Sequence, residues 1–93
     1  PETWIPFQLA TAGTVVLTIY DSHGREVRRI DLGHQSSGFY LSKSRAIHWD
    51  GTNQTGESVA SGIYFYQLYV SSPGDLTVTA TEFSRSQKLV LLK

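Results

Sequence analysis

Eight glycines, Gly13, Gly24, Gly33, Gly38, Gly51, Gly56, Gly62 and Gly74, each fall between runs of β-branched and aromatic residues rather than inside one. Glycine punctuates regular structure because it loses most conformational freedom when ordered and accepts positive φ without steric cost. The runs between them read as seven strands: Trp4–Ala10, Thr14–Tyr20, Glu26–Leu32, Phe39–Trp49, Ile63–Ser71, Leu76–Phe83 and Gln87–Leu92. Their apolar residues recur at period two, with no sustained 3.6-residue repeat, so the pattern predicts strands and not helices.

Alternation also assigns faces. Ile5, Phe7 and Leu9 share one side of the first strand, and Val15, Leu17 and Ile19 share one side of the second. In YFYQLYV both the set Ile63, Phe65, Gln67 and the set Tyr64, Tyr66, Leu68, Val70 are largely apolar, as expected of a central strand whose outer face is partly covered. Asp21-Ser22-His23-Gly24 and Pro73-Gly74-Asp75 carry turn chemistry and predict hairpins. Pro6 has no N–H for a ladder, so the first strand is expected at an edge or broken there. The expected fold is all-β, an immunoglobulin-like or fibronectin-like antiparallel β-sandwich of about seven strands.

A chain of 93 residues that is 40% hydrophobic supports one core, and residues 1–93 are expected to form a single domain; a chain of this size buries roughly 60–65% of its unfolded surface. With no cysteine, neither a disulfide framework nor a thiolate metal site is available. Eight basic and eight acidic residues cancel, so no net field draws the domain to nucleic acid or anionic lipid. The cluster Arg25, Arg28, Arg29 reads as a solvated strand face. No run reaches the about 18 apolar residues of a membrane-spanning helix, so membrane insertion is not expected. The opening PETWIPFQ lacks the layout of a signal peptide and reads as a domain boundary, with any export signal upstream.

Few residues suggest chemistry. His23, His34 and His48 fall in a turn, a loop and a strand end, without zinc-site spacing. There is no G-x-S-x-G elbow, and no catalytic residue is assigned. Asp50, Asn53, Thr55 and Glu57 are hard oxygen donors on one loop, the type calcium takes, and form the candidate metal set. The EF-hand pattern places glycine sixth and glutamate twelfth, whereas counting from Asp50 glycine is seventh and glutamate eighth. The competing reading is that Asp50 accepts backbone N–H bonds while Gly51 and Gly56 supply positive φ. Asn53-Gln54-Thr55 also fits a glycosylation sequon. Trp4, Trp49, Tyr64, Tyr66 and Tyr69 would stack on sugars if exposed, or fill the core if buried. A Lys–Asn crosslink would require a buried lysine, and Lys43, Lys88 and Lys93 have polar or terminal surroundings.

Three segments carry a resemblance: VVLTIYDSHGREVRRIDLG, HWDGTNQTGESVASGIYFYQL and the closing SQKLVLLK. Together they resemble the FlgD-like immunoglobulin-fold domain, named for the flagellar hook-capping protein, and also the C-terminal sorting domains of secreted bacterial proteins. Its most specific parts are Tyr20 and Asp21 with Gly24, then Trp49-Asp50-Gly51, and Gly62 with Tyr64. The long segment around Trp49 is similar to the hook-cap branch. The resemblance implies a non-catalytic C-terminal module of a larger secreted or cell-surface bacterial protein, acting in sorting, surface attachment or structural assembly. Its partners would be proteins: secretion or surface machinery, or neighbouring domains of the parent chain. The candidate contact is an extended strand end, Leu89, Val90, Leu91 and Leu92, since a free strand edge pairs with a partner's backbone. The alternatives are a carbohydrate-binding module using exposed aromatics, with or without calcium, and an inert stabilising spacer for a neighbouring catalytic domain.

Overall fold

The computed structural model describes residues 2–71 and 86–91. Eight strands are assigned in them: β1 Thr3–Ile5, β2 Phe7–Leu9, β3 Gly13–Tyr20, β4 Glu26–Gln35, β5 Gly38–Tyr40, β6 Ile47–Trp49, β7 Gly62–Ser71 and β8 Ser86–Leu91. All pairings are antiparallel. One sheet runs β4-β3-β7-β8, and two ribbons, β1 with β6 and β2 with β5, supply the opposing layer.

Two expected strands are each broken in two. Pro6 interrupts the first, giving β1 and β2, because it cannot donate to the ladder. Phe39–Trp49 is not continuous either: after Tyr40 the chain makes a helical turn, in which Ser42 O accepts the N–H groups of Arg45 and Ala46, before β6 begins. Residues 41–46 read LSKSRA, without the strict alternation that holds an extended chain against a core. The fourth strand extends past Leu32 to Gln35. The expected strand Leu76–Phe83 and the turn Pro73-Gly74-Asp75 lie outside the described residues.

The core forms where the period-two residues of both layers meet. Val15, Leu17 and Ile19 of β3, Tyr64 and Leu68 of β7 and Leu91 of β8 pack with Ile5, Leu9, Tyr40, Ile47 and Trp49 of the ribbons. Trp49 is 1% exposed and meets Tyr64 edge-on, with ring centroids 5.4 Å apart at 74°. That geometry sets the positive ring edge against the negative face of its neighbour. Phe7 and Tyr40, directly opposed in the β2–β5 ribbon, stack 4.4 Å apart.

Two tyrosines staple chain corners as well as filling space. The Tyr64 hydroxyl donates to Ala60 O and the Tyr40 hydroxyl to Ser36 O, both at 2.6 Å and both four residues upstream. The Tyr64 contact is a tyrosine corner of the kind immunoglobulin-like sandwiches use.

β4 carries two irregularities against β3. Val15 pairs with Gly33 and Val16 with Asp31, leaving Leu32 as an extra residue; Ile19 pairs with Arg28 and Tyr20 with Glu26, leaving Val27. Gly33 has φ 70°, and its N–H is held by Asp31 Oδ1 at 2.9 Å. Such bulges bend and twist an edge strand.

Candidate functional site

The segment from Trp49 to Tyr64 is built around side chains that satisfy its own backbone. The Trp49 indole N–H donates to Thr52 O at 2.9 Å, so the buried ring fixes the first bend. Asp50 Oδ1 accepts both the N–H and the hydroxyl of Thr52, and these bonds, the hydroxyl first, lower the Asp50 carboxyl below its usual value. Gly51 and Gly56 adopt φ of 79° and 89°, where a Cβ would be strained. Asn53 Oδ1 accepts the Thr55 N–H, the Thr55 hydroxyl and the Glu57 N–H at 2.9 to 3.0 Å. Its amide nitrogen donates to Glu57 Oε1 at 3.2 Å. Gly62 opens β7 and Tyr64 locks it.

The four calcium candidates therefore fall into two groups. Asn53, Thr55 and Glu57 share a hydrogen-bonded knot, while Asp50 turns to Thr52. Among the described residues no three His, Cys, Asp or Glu side chains are grouped to hold a metal.

The arginine cluster is not the uniform solvated face its spacing suggested. Arg25 pairs with Asp21, Nε to Oδ2 at 2.9 Å, inside the β3–β4 turn. There Asp21 Oδ1 also accepts the N–H groups of His23 and Arg25, and Gly24 has φ 84°. The Arg25 N–H is the chief cause holding the Asp21 carboxyl below its usual value. Arg28 is half-buried, and its Nη1 donates to Thr52 Oγ1 at 2.9 Å and Asn53 O at 3.0 Å, tying the loop to β4. Arg25 and Arg29 are exposed as expected, and Arg28 is not.

Aromatics divide by burial. Trp49 and Tyr64 are core. Trp4 is half-buried on β1, with Lys43 Nζ 4.4 Å above its ring and the His48 ring 5.2 Å away; His48 Nε2 also contacts Glu2 at 3.2 Å. The face of the four-stranded sheet turned away from the core carries Val16, Thr18 and Tyr20 from β3, Ile63, Phe65, Gln67 and Tyr69 from β7, and Lys88 and Val90 from β8. Ile63, Tyr69 and Val90 are 45%, 49% and 51% exposed. Two shallow grooves of about 290 and 220 Å³ cross this face and share Tyr20 and Gln67 as a common wall.

The strand-end candidate is divided too. Leu91 is 2% exposed in the core and Leu89 packs against it, while Val90 stands on the outer face. Leu92 lies outside the described residues.

The profile of the FlgD Ig-like domain matches residues 5–84. The chain belongs to the FlgD Ig-like domain family. The fold agrees: FlgD from P. aeruginosa superposes with a TM-score of 0.75 at 22% identity, covering 95% of this chain and 61% of that one. FlgD from Xanthomonas campestris gives 0.70 at 18% identity, covering 94% and 57%. At these identities the likeness establishes the fold, and the chain spans about three fifths of either FlgD. No curated protein matches the chain. Of the residues named by resemblance, Asp21, Gly24, Asp50 and Gly51 lie in turns, Trp49 is in the core, Gly62 opens β7 and Tyr64 makes the corner, while Tyr20 ends β3 on the outer face with its hydroxyl 3.5 Å from Gln67 Oε1. Sequence reasoning missed Arg28 and the two tyrosine hydroxyls; the i−4 spacing from Tyr64 to Ala60 at a strand start was the available signal.

Proposed function

We propose that this FlgD Ig-like domain is a non-catalytic structural module that makes protein–protein contacts in an extracytoplasmic, cell-surface or secreted bacterial assembly. The observation that carries the reading is the outer face of the four-stranded sheet, where Ile63 and Val90 are exposed as opposed neighbours and Tyr69 is exposed at the other end of β7. Apolar and aromatic side chains gathered on one solvent-facing surface mark a place where a partner removes them from water. The structure of the Xanthomonas campestris FlgD is described as giving insight into the hook capping essential for flagellar assembly, which supports assembly over sorting as the role of a domain with the same fold.

Deleting β8 does not test this cleanly, because Leu91 belongs to the core. Tyr69→Ser together with Val90→Ser in the full-length parent protein is the better experiment, since both side chains are about half exposed. The expected result is impaired export or assembly of the parent with the domain's melting transition retained. Unimpaired assembly overturns the proposal, as does retention of the domain on insoluble polysaccharide that the double change abolishes, which would instead support the carbohydrate-binding reading.

A further inference from the structure

The edge of β4 is closed by one residue of the Trp49–Tyr64 loop. The Gln54 N–H donates to Val27 O at 3.1 Å, and Gln54 Oε1 accepts the Arg29 N–H at 2.8 Å. A residue in a neighbouring parallel strand makes the same pair of bonds, N–H to the carbonyl before a facing residue and carbonyl to the N–H after it. Here the facing residue is Arg28, and the Gln54 side-chain oxygen stands in for a main-chain carbonyl.

Two features hold this substitute strand in place. Val27 is the extra residue of the second β4 irregularity, without a partner in β3, so its carbonyl is available to the loop. Arg28 then reaches over to Thr52 and Asn53. Among the described residues no strand pairs with this side of β4. An uncovered strand edge is a template for another chain, and covering it with a loop is one way native sheets avoid that fate.

We infer that Gln54 is an edge-blocking residue, whose side chain keeps β4 from pairing with β4 of a second copy of this chain. The inference does not depend on the assembly role. Gln54 is exposed, so shortening it leaves the core intact. In the 93-residue chain, Gln54→Ala removes the acceptor, whereas Gln54→Glu keeps an oxygen at the same reach.

Amide hydrogen exchange and sedimentation velocity together test it. In Gln54→Ala the Arg29 amide exchanges about tenfold faster or more than in the parent, as expected on losing one protecting hydrogen bond. The same variant shows concentration-dependent association beyond the parent's, and Gln54→Glu behaves as the parent does in both measurements. The inference is overturned if Gln54→Ala keeps the parent's Arg29 exchange rate, if it sediments as the parent does, or if Gln54→Glu associates as strongly as Gln54→Ala.

Discussion

The Tyr64 hydroxyl donates to the Ala60 carbonyl across 2.6 Å, fixing the corner from which β7 enters the centre of the four-stranded sheet. Tyr64 is 6% exposed, so its ring contributes burial and its hydroxyl a bond made away from bulk water. Tyr64→Phe keeps the ring and leaves the Ala60 carbonyl without this donor. Denaturant unfolding should show a loss of about 0.5–1.5 kcal/mol. Tyr40→Phe should cost a similar amount through Ser36, and the β7 strand should remain paired in both.

The same loop separates a core anchor from an exposed acceptor. Trp49→Ala empties the space opposite Tyr64 and strands the Thr52 carbonyl; large aromatic truncations in cores cost about 3–5 kcal/mol, enough to unfold many domains of this size. Glu57 is exposed and its carboxylate bonds Asn53 and Thr55 within the loop knot, so Glu57→Ala should stay within about 0.5 kcal/mol of the parent. Thermal melts of the two variants side by side measure the difference.

Stability should fall in acid through the two turn aspartates. The folded Asp21 and Asp50 carboxyls both lie below 3.8, the ordinary value, so each contributes stability that is present above that value and is lost as pH falls through the folded one. The chief causes are the Arg25 N–H for Asp21 and the Thr52 hydroxyl for Asp50. The denaturation midpoint followed downward from about pH 5 should decline less steeply in Asp21→Asn and in Asp50→Asn than in the parent. Equal slopes in all three would remove these carboxylates from the account.

Calcium would meet a loop in which Asp50 Oδ1, Asn53 Oδ1 and Glu57 Oε1 already accept hydrogen bonds. Three hydrogen bonds converge on Asn53 Oδ1 and two from Thr52 on Asp50 Oδ1. Bringing six to eight oxygens to one ion at about 2.3–2.6 Å would break that knot. The melting transition should be the same with excess calcium and with chelator. Asn53→Ala should instead reduce stability in both conditions, by about 0.5–1.5 kcal/mol for each hydrogen bond lost at most, since Thr55 and Glu57 are exposed and water replaces part of it.

The sequence by itself determined the all-β class, the alternation of the core residues and the break in the first strand. Val15, Leu17 and Ile19 fall inside because period two admits only one buried face, and Pro6 breaks the first strand because it has no N–H to offer. The turn motif was equally local: Asp21 and Gly24 form a turn with their immediate neighbours.

Tertiary structure alone decided what joins residues far apart. Arg28 read as part of a solvated strand face, yet it reaches Thr52, 24 positions away, and Gln54 meets Arg29, 25 positions away, both across the edge of β4. Period two also could not divide Leu89–Leu92, where Leu91 enters the core and Val90 faces out only because β8 pairs with β7 in that register. Alternation says that two faces differ; which face is buried depends on the layer packed against it, and that layer comes from the other end of the chain.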